Sequence, residues 1–61
     1  MPITQADQKI IQARAEKLLK QEIEFSTVVY ALTELFLISW HSAYRFTNKA
    51  ALAIRDQNPN S

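Results

Sequence analysis

His41 is the only histidine in the chain, and histidine is the side-chain type that moves protons near neutral pH. A catalytic histidine needs a nucleophile or an orienting acid within hydrogen-bond reach. On a helix, Arg45 stands one turn after His41, and Glu34 stands two turns before it. Neither spacing brings a carboxylate to the ring. His41 therefore reads as a boundary or surface residue, with a pH-sensitive interface histidine as the sharper alternative. Ser39 and Ser42 lack the sharp turn, the glycine and the paired base of an activated nucleophile. On a continuous helix Ser39 bonds back to a carbonyl one turn earlier, or sets the register of a bundle core. The carboxylates Asp7, Glu16, Glu22, Glu24, Glu34 and Asp56 form no acid–base pair, and none stands in a Glu-x-x-His arrangement aimed at a core. Cysteine is absent, which removes thiolate metal sites, and one histidine does not make a zinc site. The expectation is no metal, no cofactor and no enzymatic activity.

The chemistry that remains is recognition. Trp40, His41, Tyr44 and Arg45 form a compact aromatic–basic group, of residue types enriched at binding hot spots. The group reads as a partner-binding patch, or as boundary aromatics that anchor an oligomer. Arg45, Lys49 and Arg55 could contact phosphates from later turns of the same helix. They are sparse, and Asp56 interrupts them. Seven basic side chains against six acidic ones leave a formal charge of +1, without the clear basic excess of a nucleic-acid surface. A dimeric nucleic-acid-binding regulator is the alternative to a protein-binding one.

The stretch that must position these residues runs from Val28 to Phe46 and reads VVYALTELFLISWHSAYRF. Placed on a helix, Val28, Val29, Leu32, Leu35, Phe36 and Trp40 begin one broad apolar stripe. The stripe continues through Ala43, Phe46, Ala50, Ala53 and Ile54. A second apolar set, Tyr30, Leu37, Tyr44 and Ala51, clusters near the opposite side. Two apolar sides require two partners or an exposed patch.

Size makes the same demand. A chain of 61 residues is one domain, and domains this short are marginal unless a disulfide, a metal or oligomerisation staples them. With the first two eliminated, self-association is the remaining staple. Leu32, Leu35, Phe36, Ala43, Phe46, Ala50 and Ile54 are the expected self-association residues.

In chain order, Thr4 is a fair N-cap for a first helix of strong helix formers, from Gln5 to about Gln21. Its stripe is Ile11, Ala15, Leu18 and Leu19, and Lys9, Gln12, Glu16 and Lys20 occupy the opposite, solvated face. Glu16 and Lys20 stand in the favourable order for a one-turn ion pair. The chain is expected to reverse between Glu22 and Thr27. Ser26 is the expected cap of a second helix, and Phe25 and Tyr30 stand at the positions of a hydrophobic staple. That helix runs from about Thr27 to Gln57 and ends before Pro59. Three alternatives compete: one helix from Thr4 to Gln57, a short strand over Ile23 to Tyr30, and a break near Thr47 and Asn48 starting a third helix.

The fold expected is thus all-α: a single domain over residues 1–61, a short and a long helix in a hairpin, and flexible ends at 1–4 and 58–61. The long helix outruns the short one by roughly 18 Å, and its overhang from Phe46 to Ile54 has nothing to pack on within one chain. Two-fold pairing of hairpins into a dimeric four-helix bundle would cover it. The absence of glycine speaks against hairpins of strands and phosphate loops. No basic start leads into an apolar run, so no signal peptide is expected. Glu34, His41 and Arg45 interrupt the apolar stretch, so no membrane span is expected either. The reading is a small cytoplasmic regulator, adaptor or inhibitor that pairs with itself and with another protein.

Overall fold

The computed structural model of the chain describes residues 4–57. They form three helices and, among them, no strand: α1 Gln5–Lys20, α2 Phe25–Phe36 and α3 Trp40–Gln57. Each helix packs on both others. The all-helical expectation holds. The single long helix from Thr27 to Gln57 does not: it is cut at Leu37–Ser39, and α3 turns back onto α1. The segments 1–3 and 58–61, expected to be flexible, lie outside the described residues; Thr4 is part of the first helix's cap.

Helix α1 begins as its sequence dictates. The Asp7 amide donates to Thr4 Oγ1 at 3.1 Å, and the Gln8 amide donates to the Thr4 carbonyl at 2.9 Å. The first bond satisfies a donor that a helix start leaves orphaned, and the second is the first rung of the helix itself. The helix ends in a Schellman motif. The Glu22 amide donates to the Leu19 carbonyl at 2.9 Å, and the Ile23 amide donates to the Leu18 carbonyl at 3.3 Å. Leu18 and Ile23, both half-buried, pack against the core beside it, in the contact that commonly accompanies this motif. The motif requires a left-handed residue, and Glu22 supplies it at φ 64°. That well costs an L-residue roughly 1–2 kcal/mol and costs glycine little. Glu22→Gly is therefore expected to stabilise the fold by about 1 kcal/mol, raising Tm by roughly 4–8 °C for a domain of this size. Thermal melting followed by circular dichroism checks it; an unchanged or lowered Tm would mean that the carboxylate does something the backbone does not show.

Helix α2 starts two residues before the expected place. Glu24, not Ser26, is its N-cap, and its carbonyl accepts from the Val28 amide at 2.9 Å. The Ser26 hydroxyl donates to the Glu24 carboxylate instead, at 3.2 Å. The staple between Phe25 and Tyr30 does not form, because Phe25 is now the first helical residue. Its ring meets Tyr44 edge-on at 5.4 Å, while Tyr30 is exposed. The strand alternative over Ile23 to Tyr30 fails for the same reason: from Phe25 onward the backbone is helical. The β-branched run Thr27-Val28-Val29 falls in the first turns, where its cost in side-chain freedom is smallest.

The corner between α2 and α3 was not anticipated. Leu37 caps α2 in the left-handed conformation, φ 53° and ψ 42°. Ser39 then opens α3: its hydroxyl accepts from the Ser42 amide at 3.2 Å, and its carbonyl accepts from the Ala43 amide at 2.9 Å. Ser42 joins through a 3.1 Å hydroxyl–hydroxyl bond. Ser39 is thus an N-cap rather than a polar residue within a continuous helix. Beyond it α3 runs unbroken to Gln57, so Thr47 and Asn48 start no new helix. The Thr47 hydroxyl is fully buried and donates to the Ala43 carbonyl at 2.8 Å.

Ile11, Ala15, Val28, Val29, Leu32, Ala43 and Ala50 make the core. Burying Leu32 and the two valines favours folding by about 1.5–3 kcal/mol each. Three of the seven core positions are alanines, which lets the helix axes approach closely. The overhang expected of the long helix disappears: Ala50 is fully enclosed by the chain's own helices. The molecule is nonetheless only 16 Å across its shortest dimension, about one and a half helix diameters. Few side chains can be covered on every side.

Candidate functional site

Closing three short helices around so small a core leaves large apolar side chains outside. Seven of them are roughly half exposed or more: Ile10, Tyr30, Leu35, Leu37, Trp40, Tyr44 and Leu52. The extreme is Leu37 at 89%. It stands at the left-handed corner, so backbone geometry and solvation both disfavour leucine there. Trp40 follows in the first turn of α3, and Tyr44 lies one turn further on the same side of that helix. Phe25 from the start of α2 closes on Tyr44 with planes at 70°, an arrangement worth about 0.5–1.5 kcal/mol beyond area. The α2–α3 seam therefore carries the Phe25–Tyr44 pair, with Trp40 one turn before Tyr44 and Leu37 at the turn between the two helices.

The residues singled out from sequence divide between three places. Leu32, Ala43 and Ala50, expected at a self-association surface, are fully buried inside this one chain. Phe36, Phe46 and Ile54 are half-buried, and Leu35 is exposed. Of the expected partner patch, Tyr44 meets Phe25 and Trp40 stands one turn before it on α3, while His41 and Arg45, both exposed, occupy the adjoining strip of that helix. No group of three or more His, Cys, Asp or Glu side chains suited to a metal ion occurs among the described residues. No described helix is long and apolar enough to cross a membrane.

The proposed phosphate-binding set is split. Arg45 and Lys49, one turn apart, face Gln8 of α1 across a shallow pocket that also takes in Asn48. Arg55 lies about 100° round the helix from the midpoint of that pair. What sequence reading missed is the seam between α1 and α3. An open groove of about 1100 Å³ runs along it, lined by Lys9, Lys17, Lys20 and Lys49 and, as its apolar part, by Ala13, Phe46 and Ala53. The face of α1 taken for plain solvated surface is one wall of this groove. Its signal in the sequence was the one-turn spacing Gln5, Lys9, Gln12 or Ala13, Glu16, Lys20, which marks a stripe but not what stands opposite. The Glu16–Lys20 ion pair suggested by that spacing does not close among the described residues.

No protein-family model, no curated protein and no solved structure matches the chain.

Proposed function

We propose that the chain is a small non-catalytic protein–protein interaction module, a cytoplasmic regulator, adaptor or inhibitor that works as a homodimer. The observation that carries this reading is Leu37: left-handed, 89% exposed and three residues before the exposed Trp40. A residue chosen for stability at that corner would be glycine or asparagine. Leucine costs stability twice there and gains only when something covers it.

The occupant we favour is a second copy. The chain has no disulfide and a core of seven hydrophobic residues, five of them alanine or valine. Such a domain gains most from association. Pairing α2 and α3 of one copy with those of the next gives a four-helix layer across a two-fold axis, with α1 on the outside of each half. A stable interface covers about 800 Å² per partner, roughly a sixth of this molecule's 4717 Å². Trp40, Tyr44, Tyr30 and Leu35 supply further apolar area on the same two helices.

Light scattering after size exclusion, across a concentration series, tests the reading on the wild type and on Leu37→Asp. The expected result is a dimer for the wild type and at least tenfold weaker association for Leu37→Asp, with helical content retained, because Leu37 supports no other part of the fold. A wild type that stays monomeric at the highest concentration reached would overturn the homodimer.

A further inference from the structure

The groove between α1 and α3 is a second surface, apart from the α2–α3 seam. We propose that it receives an acidic amphipathic helix of another protein, which docks as the fourth helix of the bundle. The proposal holds whether or not the chain dimerises.

Shape is the first argument. Three helices packed on one another leave a cleft between each neighbouring pair, and this cleft is lined by α1 and α3 with no residue of α2. It extends from Gln5 to Gln21, about 24 Å at 1.5 Å per residue. A groove of that length with apolar side chains in its lining fits the apolar face of a helix of four to five turns, in the helix-in-groove mode. Phe46 and Ala53 are half-buried, so each keeps apolar surface for an incoming side chain.

Charge is the second argument, and it selects the partner. Four lysines line the groove against a single glutamate, Glu16, on a chain whose total formal charge is only +1. None of the four lysines is held in an ion pair within the described chain. Their long stems can lie along apolar surface while the ammonium groups reach the flanks of a bound helix. Carboxylates on those flanks would complement them, raising both the association rate and the discrimination against basic partners. A second copy of this chain is the poorer occupant. Its helix α2 carries one charged residue, Glu34, and α1 and α3 each carry more basic than acidic side chains. Nucleic acid is poorer too, because the apolar lining of Phe46 and Ala53 would face phosphates and the whole chain lacks a basic excess.

The test uses the full chain and three probes. The first is a labelled peptide of about sixteen residues, matched to α1, with leucines at helical spacing and glutamates on both flanks. The second has lysine in place of every glutamate, and the third is a labelled duplex DNA. Binding is read by fluorescence anisotropy, and its location by amide shifts in NMR spectra. The expected result is that only the acidic peptide binds, with shifts concentrated on Gln12, Lys17, Lys49 and Ala53. The exposed-residue variant K9E/K17E/K49E should weaken it at least tenfold while leaving the thermal transition within a few degrees. No binding of the acidic peptide, equal binding of the basic one, or shifts confined to Trp40 and Tyr44 would each overturn the proposal. DNA that displaces the acidic peptide would reassign the groove to phosphates. Dissociation of a homodimer by the peptide would instead show that the groove is the seam between copies.

Discussion

Leu32→Ala is expected to remove about 2–5 kcal/mol of stability, against a total of roughly 3–9 kcal/mol for a chain of this length. Leu32 is the largest wholly enclosed side chain among the described residues. It lies at the middle of α2, and α2 packs on both other helices. Truncation removes transfer energy and leaves a hole that three short helices can only partly close. The Leu35→Ala variant supplies the contrast. Leu35 belongs to the same apolar stripe in sequence, yet it is 57% exposed, so its truncation should change monomer stability by no more than about 0.5 kcal/mol. Denaturant melts in dilute solution measure both. Equal losses at the two positions would mean that α2 is not oriented as described.

Ala43→Leu and Ala50→Leu should each destabilise the chain by about 1–3 kcal/mol. Both alanines are fully buried where α3 meets its neighbours. A leucine there must push helices apart or take a poor rotamer. The sequence alone points the other way: small residues on an overhanging helix look like a surface waiting for a second copy, and enlarging them would alter mass rather than Tm. The structure predicts the reverse order of effects, with Tm falling by roughly 4–8 °C per kcal/mol even in dilute solution. Ala6→Leu on the exposed side of α1 is the control, with an expected change within about 0.5 kcal/mol. A Tm unaffected by Ala43→Leu, together with a lost dimer, would restore the surface reading.

The helical class and the first helix were legible because their causes are local. Alanine, leucine and long polar side chains favour α1, and Thr4 caps it. The corner at Leu37–Ser39 was not legible, for a reason visible in the core. Val28, Val29, Leu32, Phe36, Ala43, Thr47 and Ala50 fall within an arc of about 100° on one ideal helix. The apolar phase runs straight across the break, so periodicity could not detect it. The available signal was Ser39, a good N-cap residue, whose hydroxyl accepts from the Ser42 amide three residues on. The groove was illegible for a different reason. Its walls come from α1 and α3, and which helices become neighbours depends on that undetected corner.

That continuity of phase has a consequence for motion. In most small proteins, local opening costs secondary structure and tertiary contacts together. Here, rotating Leu37 from its left-handed well to the right-handed one would relieve about 1–2 kcal/mol of backbone strain and allow α2 and α3 to join as a single rod. Opening at this corner would sacrifice packing while gaining helical hydrogen bonds. The amides at Ile38 and Ser39 would then become more protected from exchange with solvent as the fold loosens, opposite to the usual behaviour of a loop.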